Sequence, residues 1–299
     1  MKIGKYEVGR LWLAPMAGYT DIAFRELCKG CGAGFTVTEM VSVRGLVYGS
    51  EATSELMRVS PVESPSCVQL FGSEPDDFAR AASLVQSDII DVNMGCPMPK
   101  IVKNGDGSAL LRDPKRAGRI IAALADATDK PITVKTRLGF GNGDDCAGEL
   151  IERVTEAGAS AVTVHGRYAE QRYSGVSDAA KAEALAKSAR IPVIYSGDAN
   201  AENTERLLKV FSAVMIGRAA LGNPAVFTGG VCDPFETARR HVRLLSQYFD
   251  ERYTVNQARK FFVHYFKGVS GGKALRAAVN VASSVAQVYA ALDKGINPC

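Results

Sequence analysis

Ile89-Ile-Asp-Val-Asn-Met-Gly-Cys-Pro-Met-Pro-Lys100 opens as a buried strand and ends as a loop suited to chemistry. The apolar run from Ile89 to Val92 stops abruptly at Asn, Gly, Cys and Pro, as a parallel strand does when its carboxyl end opens into a functional loop. A thiol at Cys96, an amide at Asn93 and an amine at Lys100 then fall within a few positions, with Gly95 and Pro97 punctuating the backbone between them. Taken alone, the segment reads equally well as a strand stop with a buried cysteine, because free Cys is among the most buried residue types.

The same pattern recurs on both sides of it. Apolar strands are predicted at 11–16, 35–39, 66–71, 89–93, 131–136, 161–165, 192–195 and 213–216. Helices alternate with them: one capped by Thr20-Asp21 and ended by Gly30 and Gly32, then 50–58, 75–86, from Asp113-Pro114, 144–157, from Asp178, and 202–210. Eight strand-helix units rich in Val and Ile predict a (β/α)8 barrel of the TIM type within an α/β class. A doubly wound nucleotide-binding sheet lacks its mark, since no GxGxxG follows the first strand. Beyond the last unit the chain reads as helices at 235–249, 255–266 and 275–292. The expected organisation is a catalytic barrel over 1–232 and an all-helical domain over 233–299.

The chain of 299 residues carries 36 Lys and Arg against 32 Asp and Glu, a small excess that is unevenly placed. From Asp233 onward there are ten basic and five acidic residues, leaving 26 against 27 before it, so the net positive charge resides in the C-terminal segment. That asymmetry suits a surface facing a polyanion, with an ordinary solvated helix face as the competing reading. Seven cysteines without regular spacing argue against a disulfide framework and for a reducing, cytoplasmic setting. The lone Cys28-Lys-Gly-Cys31 has no second ligand pair, so no metal is expected. The opening Met1-Lys-Ile-Gly-Lys-Tyr6 has no apolar signal region, and no run is long enough to span a bilayer.

In a barrel of this class the active site lies at the carboxyl ends of the strands. Those ends carry Pro15-Met16-Ala17, Glu39-Met40, Gln69, Asn93 with Cys96, Lys135 with Arg137, His165 with Arg167, Ser196-Gly197-Asp198 and Gly217-Arg218. One polar terminus means little, but eight in register are hard to assign to packing, because buried charge is costly without a purpose or partner. Gly197 and Gly217 leave backbone N–H groups open to an anion, and Arg218 adds a positive fork in the usual phosphate-binding place, which implies a phosphorylated cofactor or substrate. Lys135 and His165 can donate to an electron-rich ring. Lys135 alone could equally form an imine with a carbonyl substrate.

The chain resembles the tRNA-dihydrouridine synthase family of FMN-dependent barrels with a C-terminal helical domain. The resemblance rests on Ala14-Pro-Met-Ala-Gly-Tyr-Thr-Asp21, Val68-Gln-Leu-Phe-Gly72, Asp91-Val-Asn-Met-Gly-Cys-Pro97 with Lys100, Gly105-Asp-Gly-Ser-Ala-Leu-Leu111, Thr133-Val-Lys-Thr-Arg137, Val164-His-Gly-Arg167 with Gln171, Tyr173 and Gly175, Ser196-Gly-Asp198 and Gly217-Arg218. It spans about 13–227; the tail is similar only in a general way. It implies that NADPH reduces bound FMN, which then reduces the C5=C6 bond of a uridine in tRNA. Pro15, Met16, Ala17, Gln69, Lys135, His165, Ser196, Gly197, Asp198, Gly217 and Arg218 are then expected at the FMN. Asn93, Arg137, Tyr173 and Lys100 are expected at the substrate, and Cys96 as the acid that protonates C5. A thiol with an ordinary pKa of about 8.5 stays mostly protonated at neutral pH, as a general acid must. The target base must leave the tRNA fold to reach the site, and the basic tail would contact phosphates. Ser196 departs from the family pattern, which usually has Asn there.

Three alternatives stay open at this point: an FMN barrel acting on a free pyrimidine or an enone, a flavin-free barrel lyase using Lys135, and an RNA-binding barrel without catalysis. The chain is expected to act as a monomer. Which uridine is modified does not follow from residue types.

Overall fold

Why the chain closes into a barrel is visible in its interior-facing residues. The structure, a computed structural model, describes residues 1–296. Two short strands, β1 (Lys2–Ile3) and β2 (Tyr6–Glu7), form an antiparallel hairpin that turns at Gly4 with φ +53°. The parallel sheet follows: β3 (Leu11–Leu13), β4 (Phe35–Thr36), β5 (Met40–Ser42), β6 (Cys67–Phe71), β7 (Ile89–Asn93), β8 (Ile132–Arg137), β9 (Ala161–His165), β10 (Val193–Ser196) and β11 (Ala213–Ile216). Its order is β4-β3-β11-β10-β9-β8-β7-β6-β5, all parallel. The two ends of that order, β4 and β5, are one stretch of chain interrupted at 37–39. Thr38 bridges the interruption, its N–H donating to the Cys67 carbonyl at 3.1 Å and its hydroxyl accepting from Gln69 N–H at 3.0 Å. Eight strand positions thus come round on themselves.

Alternate residues along each strand point inward. At the amino end of the barrel Trp12, Phe35, Cys67, Ile89, Ala161, Ile194 and Met215 form an apolar plug, and Ile3 from the hairpin caps it. Two-residue strands carry no periodic signal, so the hairpin is not legible in the sequence. Toward the carboxyl end the inward positions turn polar, at Gln69, Asp91, Asn93, Lys135, His165 and Ser196, because there the interior opens to ligand rather than to more hydrocarbon. The outward faces pack a second apolar core against the surrounding helices.

That second core runs on without a break into helices Pro234–Tyr248, Glu251–Tyr265, Gly272–Val281 and Val285–Ile296. Helix Ile22–Gly30 packs on Pro234–Tyr248, and Phe24, His241 and Phe261 interlock there at ring separations of 4.4 to 5.5 Å. The helix expected at 275–292 is two helices. Ser284 caps the second by accepting from Gln287 N–H, while the Gln287 side chain accepts from Ser283 N–H, a capping arrangement that outcompetes helix continuation. Lys260 donates to the Gly18 carbonyl and sits 3.7 Å from the centre of the Tyr19 ring, so the helical segment touches the loop that follows β3. Among the described residues, no helix is long and apolar enough to cross a membrane.

Candidate active site

The carboxyl ends of the strands enclose a pocket of about 530 Å³, within the range of small-molecule sites. A hydrogen-bonded chain runs up its wall from β7. Asp91, fully buried, accepts from Gln69 Nε2 at 2.6 Å and from the Thr133 hydroxyl at 2.5 Å. Gln69 Oε1 in turn accepts from Asn93 Nδ2 at 2.9 Å, and Asn93 Oδ1 accepts from the N–H groups of Gly95 (3.2 Å) and Cys96 (2.9 Å). Backbone N–H groups can only donate, so the orientation of the Asn93 amide is decided by the loop, and Gln69 follows from it. Asn93 thereby serves the Cys96 loop with its oxygen and keeps one Nδ2–H for the pocket. Gln69 likewise retains one hydrogen and one lone pair. Burial raises the Cys96 thiol above its ordinary pKa, against the lowering effects of Met98 N–H, Arg137 and Lys135, so the thiol holds its proton.

The cations gather opposite. Lys135, on β8, is pushed down to about 8 by burial and by the Arg137 charge, and remains mostly protonated at neutral pH. Arg137 is buried and pushed down to about 10, mainly by that burial. Its Nε donates to Gly95 O at 2.8 Å and its Nη1 to Tyr168 O (3.0 Å) and Arg172 O (2.8 Å), tying the β7 loop to the β9 loop. The Nη2 group is left for a ligand. His165 is held well below its ordinary pKa by burial and then by the Lys135, Arg137, Arg167 and Arg218 charges, and is neutral.

Asp198 and Tyr173 complete the far side. Asp198 accepts from Arg167 Nη2 (2.5 Å), Ser177 N–H (3.1 Å) and Arg218 Nη2 (2.8 Å). Burial opposes its ionisation, but the Arg167 and Ser177 hydrogen bonds outweigh that and hold its carboxyl below the usual range. An ionised carboxylate so engaged orients Arg167 and Arg218 rather than meeting a phosphate itself. The exposed Tyr173 ring lies 5.7 Å from the Arg137 guanidinium and 5.8 Å from that of Arg218, between the two. Ser196, Gly197 and Gly217 line the wall beside them, with Pro15, Met16 and Ala17 on the β3 side. Gly197 has φ +122°, and a Cβ there would lie 2.9 Å from Ser177 Cβ and 3.1 Å from His165 Cδ2. Gly197→Ala is therefore expected to cost more than about 1 kcal/mol in a thermal melt; an unchanged melting temperature would show that this loop adapts freely.

Of the residues expected at the site, Lys100 does not line the pocket, and neither does the strand-end residue Glu39, whose carboxylate accepts from Gly18 N–H instead. Lys100 is exposed on the short helix Pro99–Val102, next to the pocket-lining Met98. The strand-end residues Met40 and Arg167 line the wall, and Arg167 also pins the β9 loop; the one contributor absent from the strand-end reading is Asp91, which anchors the amide chain. The alternation along β7 turns Asp91 inward with Asn93, a signal the sequence did contain. Arg167 adjoins His165 but its reach to Asp198, 31 positions away, is a tertiary fact. Among the described residues no cluster of His, Cys, Asp and Glu is arranged to hold a metal.

Residues 12–297 match the family model for dihydrouridine synthase. A probable tRNA-dihydrouridine synthase of Treponema pallidum is 37% identical over 97% of this chain and 94% of its own length. The tRNA-dihydrouridine synthase B of Proteus vulgaris is 33% identical, covering 98% of this chain and 97% of its own. Among solved structures, a variant of NCR from Zymomonas mobilis superposes with a TM-score of 0.57 at 15% identity, covering 79% of this chain and 93% of that one. Morphinone reductase in complex with tetrahydroNAD gives 0.56 at 11%, over 78% and 91%. At such identities these two attest to the barrel alone. The match over nearly the whole chain, with the strand-end residues gathered in one pocket, places this protein in the dihydrouridine synthase family.

Proposed function

We propose that the protein is a tRNA-dihydrouridine synthase that reduces the C5=C6 bond of uridine in tRNA to 5,6-dihydrouridine, with FMN as cofactor and NADPH as reductant. The observation that carries this reading is the meeting of a protonated thiol, Cys96, with the donors Lys135, His165 and Arg137 in one pocket. The lining fits a phosphorylated, electron-rich ligand: Lys135, Arg137, Arg167 and Arg218 face it against the single carboxylate of Asp198. Asp91 acts on Lys135 only through space, so a negative group in the pocket is the natural partner of this amine. Bound FMN, recharged by NADPH, supplies the reducing equivalents for the double bond.

The chain's own residues do the rest. Lys135 and His165 hold the electron-rich edge of the cofactor ring, with Gln69 offering its spare donor and acceptor to the pyrimidine edge. Pro15, Met16 and Ala17 wall the ring, while Ser196, Gly197, Gly217 and the Asp198-oriented Arg218 take the phosphate. Asn93 presents its free Nδ2–H, and Arg137 its Nη2, to the carbonyl oxygens of uracil, where negative charge develops as the double bond is reduced. Tyr173 covers the base, and Cys96 delivers the proton to C5. Lys100, outside the pocket, suits a phosphate of the tRNA strand entering it, as do the basic residues of the helical segment.

The decisive experiment is the visible spectrum of the purified protein, followed anaerobically by NADPH and then by unmodified tRNA. A flavin band that bleaches with NADPH and returns with tRNA establishes the reading. Return with free uridine or an enone but not with tRNA replaces it by a small-molecule reductase, and a protein that neither carries nor takes up flavin ends it. Lys135→Ala is expected to weaken FMN retention at least about tenfold, the worth of one charge-assisted hydrogen bond, measured by fluorescence titration of the stripped protein. Unchanged affinity would remove Lys135 from the cofactor site.

A further inference from the structure

Arg167 is buried, and each of its three guanidinium nitrogens has a partner. Nε donates to Ser174 O at 3.1 Å, Nη2 to Gly175 O at 2.7 Å and to Asp198 Oδ2 at 2.5 Å, and Nη1 lies 3.2 Å from His165 Nε2. An arginine can only donate, so His165 Nε2 must accept. The Cδ2 side of the same ring is turned to Gly197, where a Cβ would come within 3.1 Å. That leaves the Nδ1 edge for the pocket His165 lines. Being neutral, the ring has one proton to place.

We propose that Arg167 is a positioning residue that fixes His165 as the Nδ1–H tautomer, so that the nitrogen facing the pocket is a donor. The hydrogen bond at one ring nitrogen dictates the state of the other. With the proton on Nε2 instead, the ring would oppose one donor to another at Arg167 and turn a lone pair toward an electron-rich ligand. The anchoring of Arg167 by Asp198 and the Ser174-Gly175 carbonyls makes this choice insensitive to ligand. One guanidinium thereby sets the polarity of His165 and the seat of the loop that carries Tyr173. The use of that donor toward FMN rests on the proposed function; the tautomer itself does not.

Long-range proton–nitrogen correlation on nitrogen-15 histidine in the full-length protein reads the tautomer directly. The chain has 3 histidines, and His165→Asn identifies the signal by its loss. The proton is expected on Nδ1 with the flavin present and after it is stripped. Arg167→Met, which keeps a long side chain but no donor, should shift the proton to Nε2. In flavin reduction by NADPH, Arg167→Met is expected to slow the step about tenfold, the worth of one hydrogen bond, and to slow it no further in the His165→Asn background. Arg167→Lys, with one cationic donor retained, should keep the Nδ1–H signal. An Nε2–H signal in the unaltered protein overturns the assignment whether or not any variant folds, and so does an Nδ1–H signal persisting in folded Arg167→Met. A protein without flavin would defeat the proposed function while leaving the spectrum to decide the role of Arg167.

Discussion

Cys96→Ala is expected to lower uridine reduction by roughly 10²- to 10⁴-fold, the usual worth of a positioned general acid, while FMN binding and NADPH oxidation persist. The thiol carries a proton at neutral pH, and the thiolate it leaves on donating to carbon stands near the Arg137 and Lys135 charges, which favour it. Its backbone is fixed through the Asn93 oxygen at 2.9 Å, and its carbonyl accepts from Ser108 N–H at 3.0 Å, so the loop need not move when the side chain is cut back. Because burial raises the thiol, the alkaline fall of the tRNA-reducing step should lie above the ordinary thiol range, and the variant should lose that limb. Rapid mixing of the reduced protein with unmodified tRNA measures it: an unchanged reoxidation rate would take the acid role away from Cys96.

Arg25→Met is expected to destabilise the fold by about 3–5 kcal/mol, the cost of leaving one member of a buried ion pair alone. Both side chains of the Arg25–Glu63 pair are 2% exposed, with Nε to Oε2 at 2.7 Å. Arg25 also donates to the carbonyls of Thr20 (2.7 Å) and Arg58 (2.5 Å), and Glu63 accepts from the Thr36 hydroxyl (2.7 Å) and Ser60 N–H (2.9 Å). Helix Ile22–Gly30, β4 and the loop at 58–63 are thus joined at one point beneath the loop that walls the pocket. Met fills the volume but strands the Glu63 charge and two carbonyls. In a thermal melt the loss corresponds to a fall on the order of 10 °C for a chain of this size. The double variant Arg25→Met, Glu63→Leu should recover part of it, since no charge is then left buried. By contrast Glu149→Ala, which removes an exposed partner of Arg153, should change stability by less than about 1 kcal/mol. A fall for Arg25→Met no larger than that for Glu149→Ala would show the buried network to be dispensable.

Where strands consist of an uninterrupted apolar run closed by a polar residue, their limits were legible: 89–93, 161–165 and 213–216 are the observed β7, β9 and β11. In sequence the stretch at 35–39 reads as one strand, with Val37 and Thr38 continuing its β-branched character. The structure divides it into β4 and β5, since curling the sheet shut makes this segment pair with β3 on one side and β6 on the other. Local propensity has no term for closure. The 275–292 region likewise keeps its helical period across Ser283-Ser284, and the break shows in the Ser284 cap and the Gln287 contact to Ser283 N–H.

The site divides along the same line. By itself the sequence determined the architecture and the chemical inventory, because strand period, helix caps and the run of polar strand ends are local properties that a barrel must place on one rim. It also determined the placement of Cys96 with Asn93, which are three positions apart on one strand end. Only the tertiary structure decided what each inventory member faces. Asp198 faces two guanidinium groups, Arg137 spends three N–H groups on carbonyls of neighbouring loops, Lys100 lies outside the pocket, and Arg167 and Asp91 enter as supports. The physical reason is that a donor or acceptor is satisfied by whatever lies within about 3 Å, and across a barrel that neighbour comes from another strand, dozens of residues away in the chain.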